Sequence, residues 1–325
     1  MTKRIFGLVI ALTLVFAMSV NVSAAYYLNQ DFSAGDLSMF DSMTELPDAG
    51  RENIDGEIHL FNPTNSAMSQ RLFPNVSSIK SDAVFQYDFC RNTLDGYLII
   101  NLYLGNDVGR FMLNHEGGGM LYGAPYTQIP NSKEEINVWY TYVWDMNIEL
   151  NDAGELDVAN STMDIYRKRR DVEEPFTFLG TAKSESNKSK AQIQPYCAKG
   201  FDGYLDNVKM FGGTFAEGTV FELDGAEVNA LSDIKPGELN IKTKIVTSKM
   251  EDCTVTPVLV AYNSNNKMIH STLIDNTELS MGENELEFSI DTSSFADRLE
   301  GGYLGFYIWD NLGSLQPLAK AIELK

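Results

Sequence analysis

Short apolar runs, each cut off by Gly, Pro, Asn or Asp before a helix could complete three turns, constrain this chain more than any other feature. Residues 83–89, 97–104, 110–114, 138–145, 163–166 and 204–211 are rich in β-branched and aromatic side chains, and each run is bounded by turn formers. Strands at such close spacing predict an all-β architecture of packed sheets. No segment carries a long 3.6-residue apolar period with caps, so helices are expected to be few and short. Leu94-Asp95-Gly96, Gly117-Gly118-Gly119 and Asn151-Asp152-Ala153-Gly154 read as turns. Residues 183–194 are polar and read as an exposed loop. A boundary is expected at Gly212-Gly213-Thr214. After it a second series of strands is expected from about residue 220, at 238–246, 254–263, 268–275, 282–291, 302–309 and 320–324. The division is therefore 25–213, a linker at 214–219, and 220–325.

The N-terminus has Lys3 and Arg4, then an uncharged apolar stretch over 5–20, then Val22-Ser23-Ala24. A basic start, an apolar middle and a small-residue exit predict a secretory signal over 1–24, with the mature chain starting near Ala25. An uncleaved anchor helix is the alternative, but the run is short for a membrane span. No later segment is apolar enough to cross a bilayer. The formal net charge is −20, and removal of Lys3 and Arg4 makes the chain more acidic still. Such a chain repels phosphate backbones, which disfavours nucleic-acid partners. Cys90, Cys197 and Cys253 are too few and too widely spaced for a disulfide framework or a structural zinc site. A Cys90–Cys197 bridge and two buried thiols both remain open.

Four segments of the first part resemble laminin-G-like, concanavalin-type jelly rolls. They are the opening Asp31-Phe32-Ser33-Ala34-Gly35-Asp36-Leu37, the stretch Trp139-Tyr140-Thr141-Tyr142-Val143-Trp144-Asp145, the stretch Met163-Asp164-Ile165-Tyr166, and the closing Gly203-Tyr204-Leu205-Asp206-Asn207-Val208-Lys209-Met210-Phe211. In the last, the apolar phase slips between Leu205 and Val208, which predicts a bulge near Asp206. In the second part, Phe306-Tyr307-Ile308-Trp309-Asp310-Asn311-Leu312 and Leu315-Gln316-Pro317-Leu318 resemble the small immunoglobulin- or fibronectin-like modules of secreted Firmicute wall and polysaccharide-active proteins. That resemblance implies a smaller immunoglobulin-like β-sandwich acting as a spacer, with Trp309 plugging its end and Pro317 shaping a corner. The expected fold is thus a concanavalin-like jelly-roll sandwich followed by an immunoglobulin-like one.

Jelly rolls host lectins, hydrolases, lyases and inert modules, so function has to come from side chains. Alternation along the strand places Tyr140, Tyr142 and Trp144 on one face. If that face is outward it is a platform on which sugar rings can stack; if inward it is core, the placement that the usual burial of large aromatics favours. Tyr103, Tyr122 and Tyr126 could rim such a platform, and His115, beside three glycines, could reach a ligand from a loop tip. The jelly-roll resemblance implies a structural Ca²⁺ held by Asp31 and Asp206, with a simple turn-capping role for Asp206 as the alternative. For catalysis, Glu155-Leu156-Asp157 is the one tempting carboxylate pair, and it reads better as a solvated hairpin edge. The three histidines, His59, His115 and His270, have no arginine-rich strand facing them, as a lyase would need. No nucleophile elbow, zinc-protease or phosphate-loop motif is present.

These features lead to a secreted, non-catalytic protein that binds a polysaccharide or cell-surface glycan. It would be free or non-covalently attached to the surface. The alternative is a structural subunit of a surface or extracellular matrix assembly that contacts other surface proteins. A glycan-cleaving enzyme ranks last.

Overall fold

A computed structural model describes residues 25–35, 40–42, 50–64, 68–72, 82–104, 110–122, 127–185, 192–248, 253–309 and 322–325. They fall into two compact units, one over Tyr26–Gly212 and one beginning at Gly213. The predicted signal over 1–24 lies outside the described residues, as do Tyr126 and Pro317. No helix among the described residues is long and apolar enough to cross a membrane.

The first unit is a jelly-roll sandwich of two antiparallel sheets. Its strands are β1 (Ala25–Gln30), β2 (Phe40–Ser42), β3 (Gly50–Ile54), β4 (Glu57–Asn62), β5 (Met68–Leu72), β6 (Ala83–Arg91), β7 (Tyr97–Tyr103) and β8 (Arg110–Glu116). They continue as β9 (Gly119–Tyr122), β10 (Thr127–Gln128), β11 (Trp139–Asn147), β12 (Thr162–Arg169), β13 (Thr177–Lys183), β14 (Gln192–Ala198) and β15 (Phe201–Gly212). One sheet runs β13-β12-β11-β6-β15-β4-β3, with β1 beside β15; the other runs β10-β9-β8-β7-β14-β5-β2.

Period-two alternation explains why the sheets pack. In β11, Tyr140, Tyr142, Trp144 and Met146 face the core, where Phe85 and Tyr87 of β6 meet them. The Trp144 ring meets Phe85 edge-on at 5.0 Å, and Tyr87 stacks on Tyr142 at 5.4 Å. In β8, Phe111 and Leu113 point inward. The register of β15 against β6 shifts between Asp206 and Lys209, the expected bulge, with Asn207 in the left-handed region at φ 46°. At the turn before β7, Gly96 has φ +70°, and a Cβ there would lie 2.4 Å from the Ala198 carbonyl oxygen. Only glycine fits that approach. Cys90 and Cys197 are buried and unbridged. Cys197 belongs to the core, whereas Cys90 lies across from Trp139 and Tyr204 and outside that cluster. Burial pushes their thiols up, to about 11 and about 12 respectively.

The second unit is a smaller two-sheet sandwich of β16 (Thr214–Leu223), β17 (Ala226–Glu227), β18 (Glu238–Thr247), β19 (Cys253–Tyr262), β20 (Met268–Leu273), β21 (Thr277–Leu279), β22 (Gly282–Asp291), β23 (Tyr303–Trp309) and β24 (Ile322–Leu324). Sheet β17-β16-β18-β22 faces sheet β20-β19-β23-β24 across a core that includes Ile241, Leu259 and Phe306. Residues 214–219, read as a linker, are instead the first half of β16, paired with β18 from Thr214↔Thr247 onward. Trp309 is fully buried, but it does not close the end of this core. Alternation in β23 sends Phe306 and Ile308 into the main core and Trp309 to the opposite face, with Tyr307, Val258 and Val260.

Because Trp144 is fully buried among rings, truncating it leaves a large cavity. Trp144→Ala should cost about 3–5 kcal/mol of folding stability, read as a lower urea midpoint for the first transition.

Candidate functional site

The expected aromatic platform is core. Tyr142 and Trp144 are 0% exposed and Tyr140 is 5% exposed, so none of them can present a ring to a ligand. The physical reason is volume: these side chains fill the space between the sheets. Tyr122 also turns inward and packs half-buried against the same cluster. His115 is not on a loop tip but inside β8, and it too is fully buried.

His115 belongs to a buried polar network, in which Arg91 Nε, Arg91 Nη1 and Glu134 Oε2 make no hydrogen bond. Its Nδ1 lies 2.7 Å from Glu134 Oε1, and its Nε2 lies 2.8 Å from the Tyr87 hydroxyl. The Tyr142 hydroxyl donates to Glu134, and Arg91 Nε lies 3.4 Å from Glu134 Oε2. Arg167 reaches the rim, donating to the Tyr142 hydroxyl and the Ser132 carbonyl. Burial alone would push the Glu134 carboxyl up, but His115, Arg91 and Tyr142 outweigh it and hold it below its ordinary value. Burial, then the Glu134 charge, pushes the Tyr87 and Tyr142 hydroxyls well up. Acid, base and tyrosine thus lie together, but no substrate can reach fully buried groups. The network ties β6, β8 and β11 to the Glu134 loop. Glu134→Gln should cost about 3–5 kcal/mol, since it leaves Arg91 without its counter-charge, and urea unfolding would measure it.

Asp31 and Asp206 each bond to other groups of this chain. Asp31 is exposed and accepts hydrogen bonds from its own neighbour, the Ser33 N–H at 3.1 Å and the Ser33 hydroxyl at 2.9 Å. Asp206 is held by the Arg170 guanidinium at 3.3 Å and by the Asn207 N–H at 2.7 Å. Asp206 bonds its own turn through Asn207, the turn-bonding alternative, and shares Arg170 with Glu57, Asp88 and Asp171. Among the described residues no three His, Cys, Asp or Glu side chains converge on a metal position. Glu155-Leu156-Asp157 also forms no acid pair. Leu156 is buried in the core, and Asp157 caps its own loop through Ala159 and Asn160.

A second set of polar and aromatic side chains lies on the outer face of the second sheet, where Tyr97, Arg110, Glu116, Tyr196 and Lys199 are the accessible ones and Ile99, Asn101, Tyr103, Met112, Asn114 and Gln194 lie buried beneath them. There β8, β7 and β14 run side by side and form an open groove of about 480 Å³. Alternation builds it: the residues between the core positions of each strand all face it. Cross-strand register sets them in rows. Glu116 lies opposite Tyr97; Asn114 opposite Ile99, which on its other side faces Tyr196; Met112 opposite Asn101, which on its other side faces Gln194; Arg110 opposite Tyr103. At one end Tyr97 and Tyr196 are near-parallel, 6.1 Å apart, with the Lys199 ammonium over Tyr97 at 5.3 Å. At the other end the Tyr103 hydroxyl donates to Gln194 Oε1 at 2.9 Å. Arg110 Nη1 donates to Asn101 Oδ1 at 3.3 Å and also pairs with Glu185 at 3.1 Å. Between them Asn114 is 4% exposed, and its carbonyl oxygen has no hydrogen-bond partner. Of the residues singled out from sequence, only Tyr103 lines this groove. Asn101 and Asn114, two amides at outward positions of otherwise apolar strands, were the signal available for the rest.

A hollow of about 630 Å³ on the second unit is lined by Lys242, Lys244, Glu285 and Glu287. Its lysines are already paired, Lys242 with Glu222 at 2.7 Å and Lys244 with Glu283 at 3.6 Å, so it offers a ligand less than the groove does.

Among the described residues, the carboxylates raised above their ordinary value lie on the first sheet, not in the groove. Burial raises Asp206 to about 6, with Asp88 and Glu57 adding to it against Arg170. Burial, Asp164 and Asp82 raise Asp145 to about 6. Asp145 and Asp164 are direct cross-strand partners, and like charges so placed repel. A folded-state pKa above the ordinary 3.8 means that Asp145 favours the fold most when protonated. That contribution is full below the ordinary value and is lost as the pH rises through about 6. Asp145→Asn should therefore raise the melting temperature at neutral pH and leave it unchanged at about pH 3.5. Paired melting curves would show it.

The chain matches no protein-family profile and no curated protein sequence. Among solved structures it is similar to a mutant of the Emp46p carbohydrate recognition domain, at 10% identity and TM-score 0.37 over 58% of this chain and 97% of that one. It is also similar to the VIP36 exoplasmic/lumenal domain in its Ca²⁺/Man3GlcNAc-bound form, at 8% identity and TM-score 0.36 over 58% and 89%. A third is the structure of HCR/D-Sa-GBL1/C, at 9% identity and TM-score 0.33 over 89% and 86%.

Proposed function

We propose that this chain is a secreted, non-catalytic carbohydrate-binding protein whose groove over β7, β8 and β14 holds the glycan. One observation carries the reading: the groove combines a pair of parallel tyrosine rings with amide, hydroxyl and guanidinium groups on one rigid sheet face. Sugar rings offer apolar CH faces to aromatic rings and hydroxyl edges to amides, so both halves of the groove have something to meet. The basic and apolar N-terminal pattern supports secretion. The second unit then serves as an immunoglobulin-like accessory module.

The test is a glycan array probed with the wild-type protein and with Tyr196→Ala. Tyr196 is half-buried on the outer face, so its removal should spare the fold. Selective binding that weakens roughly ten-fold in the variant, about 1.4 kcal/mol, is the expected result. Binding that Tyr196→Ala leaves intact would move the site elsewhere, and no binding to any glycan would sink the reading.

A further inference from the structure

We infer that the groove takes an internal stretch of an extended polysaccharide, several sugars long, and not a single terminal sugar; this rests on the carbohydrate reading above. The first ground is length. Tyr97 and Tyr103 are both outward residues of β7 and mark opposite ends of the groove. Six residues of antiparallel strand separate them, roughly 20 Å. One sugar ring is far shorter than that run.

The second ground is that recognition is divided between the two ends. The tyrosine pair with Lys199 and Glu116 lies at one, the Arg110–Asn101–Gln194–Tyr103 group at the other. Ile99 and Met112 form the apolar floor between them. A terminal sugar held at either end would leave the other without contact. A chain lying along the strands would engage both and lay ring faces on the floor.

The third ground is Asn114, beside that floor. Its amide is almost wholly buried with one end unpaired, a costly arrangement unless something completes it. An unpaired acceptor in the groove's lining is what a sugar hydroxyl can complete by donating to it.

An extended peptide fits less well. β7, β8 and β14 are interior strands with both edges paired, so they have no backbone groups to donate to an added strand. Contact has to come from side chains on the sheet face alone.

The experiment is calorimetric titration of the whole protein with size ladders, monosaccharide to hexasaccharide, of β-1,4-glucan, β-1,3-glucan, chitin and α-mannan. We expect no measurable monosaccharide binding, and affinity that rises with length by roughly ten-fold or more between disaccharide and tetrasaccharide. Tyr97→Ala and Arg110→Ala, at opposite ends of the groove, should each weaken the hexasaccharide. A disaccharide that still binds should be weakened by only one of the two. A monosaccharide that binds as tightly as its hexasaccharide overturns the inference and leaves the carbohydrate reading standing. A ladder with no binding member overturns both.

Discussion

The first unit depends on a single buried carboxylate. Glu134 arrives from the loop before β11 and meets His115 of β8, Arg91 of β6 and the hydroxyl of Tyr142 of β11. In the low dielectric between two sheets each of these contacts is strong, and any one left unmade is expensive. The effect reaches the surface through strand periodicity. With His115 held inward, Arg110, Met112, Asn114 and Glu116 must all face outward. A slip of β8 by one residue would turn Asn114 and Glu116 into the apolar core and Phe111 and Leu113 out of it. The polar core network therefore fixes which side chains line the groove.

Much of the fold could be read from the chain because turn chemistry and alternation are local. The segments around β6, β7, β11 and β22, the three turns and the bulge at Asp206 all follow from residues within a few positions of each other. Strands such as β3, β13 and the start of β16 carry too little apolar content to announce themselves. They are strands because a neighbour supplies the hydrogen-bond ladder. The site was far less legible. Alternation groups Tyr140, Tyr142 and Trp144 together but does not say which side faces in. That sign is set by the opposite sheet, whose Leu98, Leu102 and Phe111 complete the same core. The groove residues come from three strands that are distant in sequence, and only the register brings Asn114, Ile99 and Tyr196 into one row.

The second unit shows the same limit at Trp309. Its sequence neighbours suggest a plug at the end of a sandwich. In β23, however, Phe306 and Ile308 already occupy the inward positions. Two-residue periodicity leaves Trp309 no choice but the other face, with Tyr307 and Val258. A family-like motif can be retained in sequence while the pleat decides what its largest residue does.

Charge bears on the groove as much as shape does. The chain is strongly acidic, at −20, yet the groove is not. Arg110 is balanced by Glu185, and Lys199 and Glu116 flank Tyr97 from opposite sides. Locally balanced charge attracts neither anions nor cations over distance. What the groove offers at contact is ring faces and amide dipoles, held in place by hydrogen bonds among themselves such as Tyr103 to Gln194. Groups already ordered by the fold lose little freedom when a ligand arrives. Hence a weakly charged, hydroxyl-rich chain can be held by many modest contacts spread along the strands, each too small to matter alone.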